Sequence, residues 1–199
     1  MTDEHPPRPI VCIVGENVAL GPLHRGLLPY LARWDNDLRT LALRGRSLEP
    51  NPKDFLEATY APLIAGQRPN WIGFAMYEWP SARPIGVTNI RDFETPHRTA
   101  EFGITIGEAT ERGKGYGSEA TRLVLTYAFD VLAVHNVVLD TLSTNEIAIR
   151  AYRRAGFKEI GRWREAHRVG DRLADVVLMD CLATEFARSS QTILLNRPR

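Results

Sequence analysis

Three consecutive runs between residues 70 and 107 constrain this chain most. They read "NWIGFAMYEW" (70–79), "ARPIGVTNIRDF" (82–93) and "RTAEFGITIG" (98–107). Each is rich in β-branched and aromatic residues, and the breaks between them, "PSARP" and "ETPH", carry turn residues. Two short breaks between three such runs predict an antiparallel meander.

Helical and strand patterns surround the meander. The run "SEATRLVLTYAFDVLA" (118–133) places Ala120, Leu123, Val124, Tyr127 and Leu132 on one apolar helix face. A strand is expected at 136–143, a short helix at 146–156 ended by Gly156, and a hairpin around the Gly170–Asp171 turn. Upstream, "IVCIV" (10–14) and "NVALGPL" (17–23) read as two short strands or one broken strand. Helical spacing follows over 25–37. A loop-rich stretch at 38–50 leads to a second helix capped by Asn51, with Pro52 at its first position. The expected order is ββ-αα-βββ-α-β-α-ββ: an α/β (α+β) chain whose helices pack on a mixed, mostly antiparallel sheet. Residues 10–187 form one domain, between a flexible arm at 1–9 and a tail at 188–199.

Composition narrows the function. The 199 residues suit one domain, and 25 basic residues against 24 acidic ones leave a net charge of +1. That balance offers no electrostatic case for nucleic acid or a membrane surface, and neither is expected as a partner. Cys12 and Cys181 lie far apart in apolar runs and read as two buried free thiols. No second Cys or His stands at ligand spacing, so no metal is expected. The start, "MTDEHPPRP", lacks the apolar stretch of a signal peptide, and no run of about 18 apolar residues exists, so a cytoplasmic protein is expected.

Chemistry enters at "ERGKGYGSEA" (111–120), between the last meander strand and the long helix. Amides at a helix start have no intrahelical partner, and the helix dipole makes that end attractive to anions. Gly113, Gly115 and Gly117 let the backbone approach a ligand closely, and Arg112 and Lys114 add positive charge. A pyrophosphate suits such a place. From this stretch alone, a glycine-rich turn with solvated cations fits equally well. The stretch is neither a Walker loop nor a dinucleotide G-x-G-x-x-G, since position 118 is Ser.

A second constellation follows. From Asn145 the chain reads N-E-I-A-I-R-A-Y-R-R-A-G-F. Asn145, Ala148 and Tyr152 fall at i, i+3 and i+7, on one side of a short helix. They would form a slot with an amide at one end, a slim middle and a phenol at the other. Asn145 could equally be a helix cap, and Tyr152 a packing residue.

Together, R-x-x-G-x-G at 112–117 and N-x-x-A-x-x-x-Y-x-x-x-G-F at 145–157 resemble the GCN5-related N-acetyltransferase (GNAT) superfamily. The resemblance spans roughly residues 17–185. "HRTAEFGITIG" and the ending from Gly161 to Leu182 resemble the branch holding ribosomal-protein (RimJ/RimL-like) and spermidine acetyltransferases. It implies a GNAT-like sheet with helices on both faces, and acetyl-CoA as co-substrate. Residues Arg112, Gly113, Lys114, Gly115, Tyr116 and Gly117 would cradle the pyrophosphate. Backbone groups of Ile104, Thr105 and Ile106 would bond the pantetheine arm. The strands around 102–107 and 136–142 would splay to admit the thioester. Asn145 would bond pantetheine, Ala148 would leave room for it, and Tyr152 would sit beside the sulfur.

The chemistry fits those groups. A primary amine must lose a proton before it attacks, and a carboxylate can take it directly or through water. Glu101 matches a position where family members often carry a base; it also reads as an ordinary strand-end ion-pair residue. His97 is a weaker candidate, and a water chain is a third. Tyr152 stays protonated at neutral pH and can donate to the leaving thiolate. Segments 30–50 and 165–173 would flank the acceptor, a protein N-terminus or a small polyamine-like amine. Asp35 and Asp37 could attract a cation or simply end a helix in solvent. The alternative is an acyl-CoA-binding sensor without turnover. Family habit adds a homodimer.

Overall fold

The computed structural model describes residues 8–45, 48–94 and 96–188. In chain order it contains β1 (Ile13–Val14), β2 (Val18–Pro22), α1 (Leu28–Trp34), α2 (Leu38–Leu43), α3 (Lys53–Ile64), β3 (Trp71–Glu78), β4 (Arg83–Glu94) and β5 (Thr99–Ile106). Then come α4 (Tyr116–Asp130), β6 (Asn136–Leu142), α5 (Glu146–Ala155), β7 (Lys158–Val169) and β8 (Arg172–Leu182). One sheet of eight strands runs β1-β2-β3-β4-β5-β6-β8-β7. Every neighbouring pair is antiparallel except β5–β6.

The meander forms as its sequence demands. Side chains alternate between sheet faces, so Phe74 and Met76 enter one core while Ala75 and Tyr77 enter another. The first core joins the sheet to α4 and α5 through Ala120, Val124, Ile149 and Phe157. The second joins it to α1 through Leu27, Leu31 and Trp34. Helices therefore cover both faces, which is why β3 is apolar along both sides. Burying a large side chain of this kind contributes about 1.5–3 kcal/mol.

Trp34 fixes α1 to the end of β5. Its indole lies so close to Gly107 that a Cβ there would come within 2.0 Å of the ring. Its Nε1 donates to Glu108 at 3.1 Å. The chain leaving β5 toward the glycine stretch is thereby held against the second core.

Four expectations need correction. Residues 38–43 form helix α2, where a loop was expected. Asp37 caps it by accepting from the Arg39 amide, and Thr40 and Leu41 are buried beneath it. A six-residue helix has too few intrahelical bonds to persist alone, so tertiary contacts hold it. Secondly, Pro52 rather than Asn51 is the N-cap of α3. The Asn51 side chain donates instead to the Asp35 carbonyl at 2.8 Å. Thirdly, only Ile13 and Val14 of the run 10–14 are strand, and Cys12 is exposed rather than buried, while Cys181 is buried. Lastly, Asp35 is not a solvated helix end: it binds Arg44 at 2.8 Å and accepts from Tyr60 at 2.5 Å.

Among the described residues no helix is long and apolar enough to cross a membrane. The expected arm lies outside the described residues up to residue 7, and the expected tail lies outside them from residue 189.

Candidate active site

The site begins where two strands part. Strands β5 and β6 pair only at Thr99–Asn136, Ala100–Val137 and Glu101–Val138. Beyond those, β5 stays bonded to β4 as far as Ile106, and β6 stays bonded to β8 as far as Leu142. The facing edges diverge, and a cavity of about 380 Å³ opens there. Ile104, Thr105 and Ile106 line it from β5. Gly113, Gly115, Gly117 and Ser118 form one wall, and Asn145, Ala148 and Tyr152 the other. The two sequence constellations meet across one gap.

The glycine loop takes its shape from backbone sign. Gly113 and Gly115 have φ of +81° and +94°, where a side chain is strained. A Cβ at either would touch nothing within 4 Å, so conformation rather than crowding requires glycine. Helix α4 starts directly after Gly115, and its first amides have no intrahelical partner.

Side chains of the loop diverge. Arg112 lines the cavity, and its guanidinium donates to the Ile106 carbonyl through Nε and Nη2 at 3.2 Å each. Lys114 turns to Glu111 at 2.9 Å, and Tyr116 donates to Glu78 at 3.0 Å. Neither Lys114 nor Tyr116 lines the cavity. Glu111 is buried at 4% exposure between Lys114 and Arg83. Hydrogen bonds from Lys114 and then Arg83 hold its carboxyl below the usual carboxylate range.

On α5, Asn145 does two jobs. Its Oδ1 caps the helix by accepting from the Ala148 amide at 3.3 Å, and its Nδ2 donates to the Leu43 carbonyl of α2 at 3.2 Å. Tyr152 lies one turn beyond Ala148. Its ring packs edge-on against Phe102 and Phe157, with centroids 6.3 and 6.0 Å away. The hydroxyl has no hydrogen-bond partner among the described residues, although Tyr152 lines the cavity. Burial, and secondarily the Asp140 carboxylate, push the phenol pKa well above its ordinary value.

Glu101 stands apart. It occupies the last paired position of β5 and β6, on the sheet face opposite Phe102, and does not line the cavity. It is ion-paired with Arg91, its cross-strand neighbour on β4. His97 sits in the exposed β4–β5 turn, also outside the cavity.

The sequence reading placed segment 30–50 beside the cleft but singled out none of its residues that line the cavity. Thr40 and Leu43 of α2, and Arg44 directly after it, line the cavity from that segment. It also missed Arg150 and Arg154 on α5. The spacing of those two arginines, four apart on the helix that carries Asn145, was a usable signal. Nothing in 38–50 was a comparable one.

The family model described as "Acetyltransferase (GNAT) domain" matches residues 20–158, a span that holds both walls of the cavity. The chain belongs to the GNAT acetyltransferase family. Within the family it is similar to spermidine N(1)-acetyltransferase of Escherichia coli K12, 36% identical over 76 residues, which is 38% of this chain and 40% of that protein. YdaF of Bacillus subtilis, a candidate ribosomal N-acetyltransferase, is 31% identical over 101 residues, 51% of this chain and 55% of its own length. The matched stretches thus span about half the length of these curated relatives. Similarity of structure extends further. Spermidine N-acetyltransferase from Vibrio cholerae, solved with CoA and spermine, superposes with a TM-score of 0.76 at 25% identity, covering 85% of this chain and 97% of that one. The Bacillus anthracis GNAT acetyltransferase shares the fold at a TM-score of 0.72 and 16% identity, covering 85% and 97%. Among the described residues no cluster of His, Cys, Asp or Glu could hold a metal ion.

Proposed function

We propose that this GNAT chain is an N-acetyltransferase that moves an acetyl group from acetyl-CoA to a primary amine by direct attack. One observation carries the reading: the cavity between the parted strands runs from the α4 amides to a phenol with no hydrogen-bond partner among the described residues. Its ends suit a molecule with phosphates at one end and a thioester at the other. The catalytic domain spans residues 10–187.

The roles follow from that orientation. Free amides of the Gly113–Gly117 loop take the pyrophosphate, with Arg112 beside them and Arg150 and Arg154 across the mouth. Lys114 and Tyr116 act through the backbone and the local charge, since their side chains are engaged elsewhere. The edge of Ile104, Thr105 and Ile106 that β6 leaves open bonds the pantetheine amides, with the Ile106 carbonyl shared with Arg112, and Asn145 adds the second N–H of its side-chain amide. Ala148 keeps the slot narrow. The amine loses its proton to a base, and its nitrogen then bonds the acetyl carbon. The carbon–sulfur bond breaks, Tyr152 protonates the departing thiolate, and the phenolate regains its proton from the nitrogen as it becomes an amide. A phenol with a raised pKa retains its proton for that step through the neutral range. Glu101, the carboxylate of β5, is the candidate base; because it stands outside the cavity, it would reach the amine through a water.

Acceptor choice falls between a polyamine-like amine and a protein N-terminus, and family habit makes the working unit a homodimer. A second reading, a silent acyl-CoA sensor, draws on one observation: Glu101 is neutralised by Arg91 and stands outside the cavity. Thiol release from acetyl-CoA separates the two. The panel holds spermidine, peptides with varied N-termini, aminoglycosides and arylamines. Release above the no-amine blank with one class supports the enzyme and names its acceptor. Tight CoA binding with no release from any amine favours the sensor. Absence of CoA binding refutes both.

A further inference from the structure

Helix α2 is fastened to the cavity wall at a point the sequence pattern did not mark. Arg112 Nη2 donates to the Thr40 hydroxyl at 2.6 Å. That hydroxyl donates in turn to Asp37 Oδ2 at 2.6 Å. Asp37 also caps α2 through the Arg39 amide and lies 3.9 Å from Arg112 Nη2. The directions agree: guanidinium to hydroxyl to carboxylate, with each donor meeting one acceptor. Thr40 is 2% exposed, lines the cavity, and lies 72 residues from Arg112 in sequence.

A guanidinium has five N–H donors in a fixed plane. In Arg112 the Nε donor and the Nη2 donors are taken by Ile106 and Thr40. The two Nη1 donors have no partner among the described residues, and Arg112 lines the cavity. The carbonyl and the hydroxyl together set the plane of the guanidinium. Without Thr40, the Ile106 carbonyl alone would leave the plane free to turn.

We infer that Thr40 is a positioning residue for Arg112: its hydroxyl holds the guanidinium so that the Nη1 edge faces the pyrophosphate of CoA. The inference rests on the acetyl-CoA reading above and adds to it a specific dependence. Thr40 acts on the phosphates alone and leaves the thioester end untouched.

Two variants test it against wild type: Thr40→Val and Thr40→Ser. Valine keeps the shape and removes the hydroxyl, while serine keeps the hydroxyl and removes the methyl. Calorimetric Kd for CoA is measured with KM and kcat for acetyl-CoA and for acetyl-pantetheine, which carries the thioester and no phosphate. A hydrogen bond to a charged group bears on affinity by roughly tenfold. Thr40→Val should therefore weaken CoA binding and raise KM for acetyl-CoA by about that factor, with kcat little changed. Thr40→Ser should restore both. KM for acetyl-pantetheine should be the same in all three. A packing role for Thr40 predicts the reverse order, serine worse than valine, and that result overturns the inference. So does an equal loss with acetyl-pantetheine. If Thr40→Val does not fold, Thr40→Ala serves, since it also removes the hydroxyl that accepts from Arg112. Unchanged CoA affinity in that variant also overturns the inference. Failure of wild type to bind CoA would instead refute the acetyl-CoA reading, and this inference with it.

Discussion

Replacing Tyr152 by Phe removes one oxygen and nothing else. The ring contacts to Phe102 and Phe157 remain, and no protein hydrogen bond is lost, since the hydroxyl has none among the described residues. Stability at neutral pH should therefore change by less than about 0.5 kcal/mol. The rate should not be spared. A positioned proton donor contributes roughly 10²–10⁴-fold, so kcat should fall by that factor while the Kd for CoA stays unchanged. Stopped-flow or steady-state thiol release gives the first number and calorimetry the second.

The same variant has a pH signature. The folded phenol has a pKa raised above the ordinary value of about 10, so folding favours its protonated form. The stability tied to that preference is fully present below about pH 10 and is lost as pH rises through the folded pKa. Wild type should thus lose stability faster than Tyr152→Phe above pH 10, by up to about 1.4 kcal/mol per pH unit. An unchanged kcat, or a neutral-pH loss of several kcal/mol, would refute the role given to the hydroxyl.

Other substitutions probe the remaining walls. Gly115→Ala meets no neighbour but must adopt φ near +94°, so urea unfolding should show a loss of about 1–2 kcal/mol. Its KM for acetyl-CoA should rise as well. Asn145→Ala removes the cap of α5 and the tie to Leu43; chemical denaturation should show a loss of about 1 kcal/mol or more, with weaker CoA binding. Glu101→Gln separates base from ion-pair partner. A kcat lower by about 10²-fold or more assigns it the base role, whereas an unchanged kcat leaves it as the partner of Arg91.

How much could be read beforehand depended on distance along the chain. The meander was legible because β-branched runs and turn residues are local signals. Gly113 and Gly115 were legible because a positive φ selects glycine wherever it occurs. Helix α2 was not, because six residues offer no periodic window and its anchors, Arg112 and Asn145, are remote in sequence. The slip at Asn51 has the same origin: the amide that looked like a cap serves the Asp35 carbonyl across a loop. Sequence also predicted the final hairpin without its placement, in which β8 rather than β7 lies beside β6. The loop side chains show the limit of motif reading. Arg112, Lys114 and Tyr116 are contiguous in pattern yet face a carbonyl, a carboxylate and a different carboxylate.

The short seam between β5 and β6 has a mechanical meaning. Three residue pairs are all that stitch the five-strand block β1–β5 to the three-strand block β6-β8-β7 in the sheet. A pantetheine arm laid along the open edge would act as a missing strand and rivet the two blocks together. Hydrogen exchange should then slow along Ile104–Ile106 when CoA is added, and the blocks should stiffen as one. The sheet is left open along that edge, and under the proposed function the co-substrate would supply the last rung.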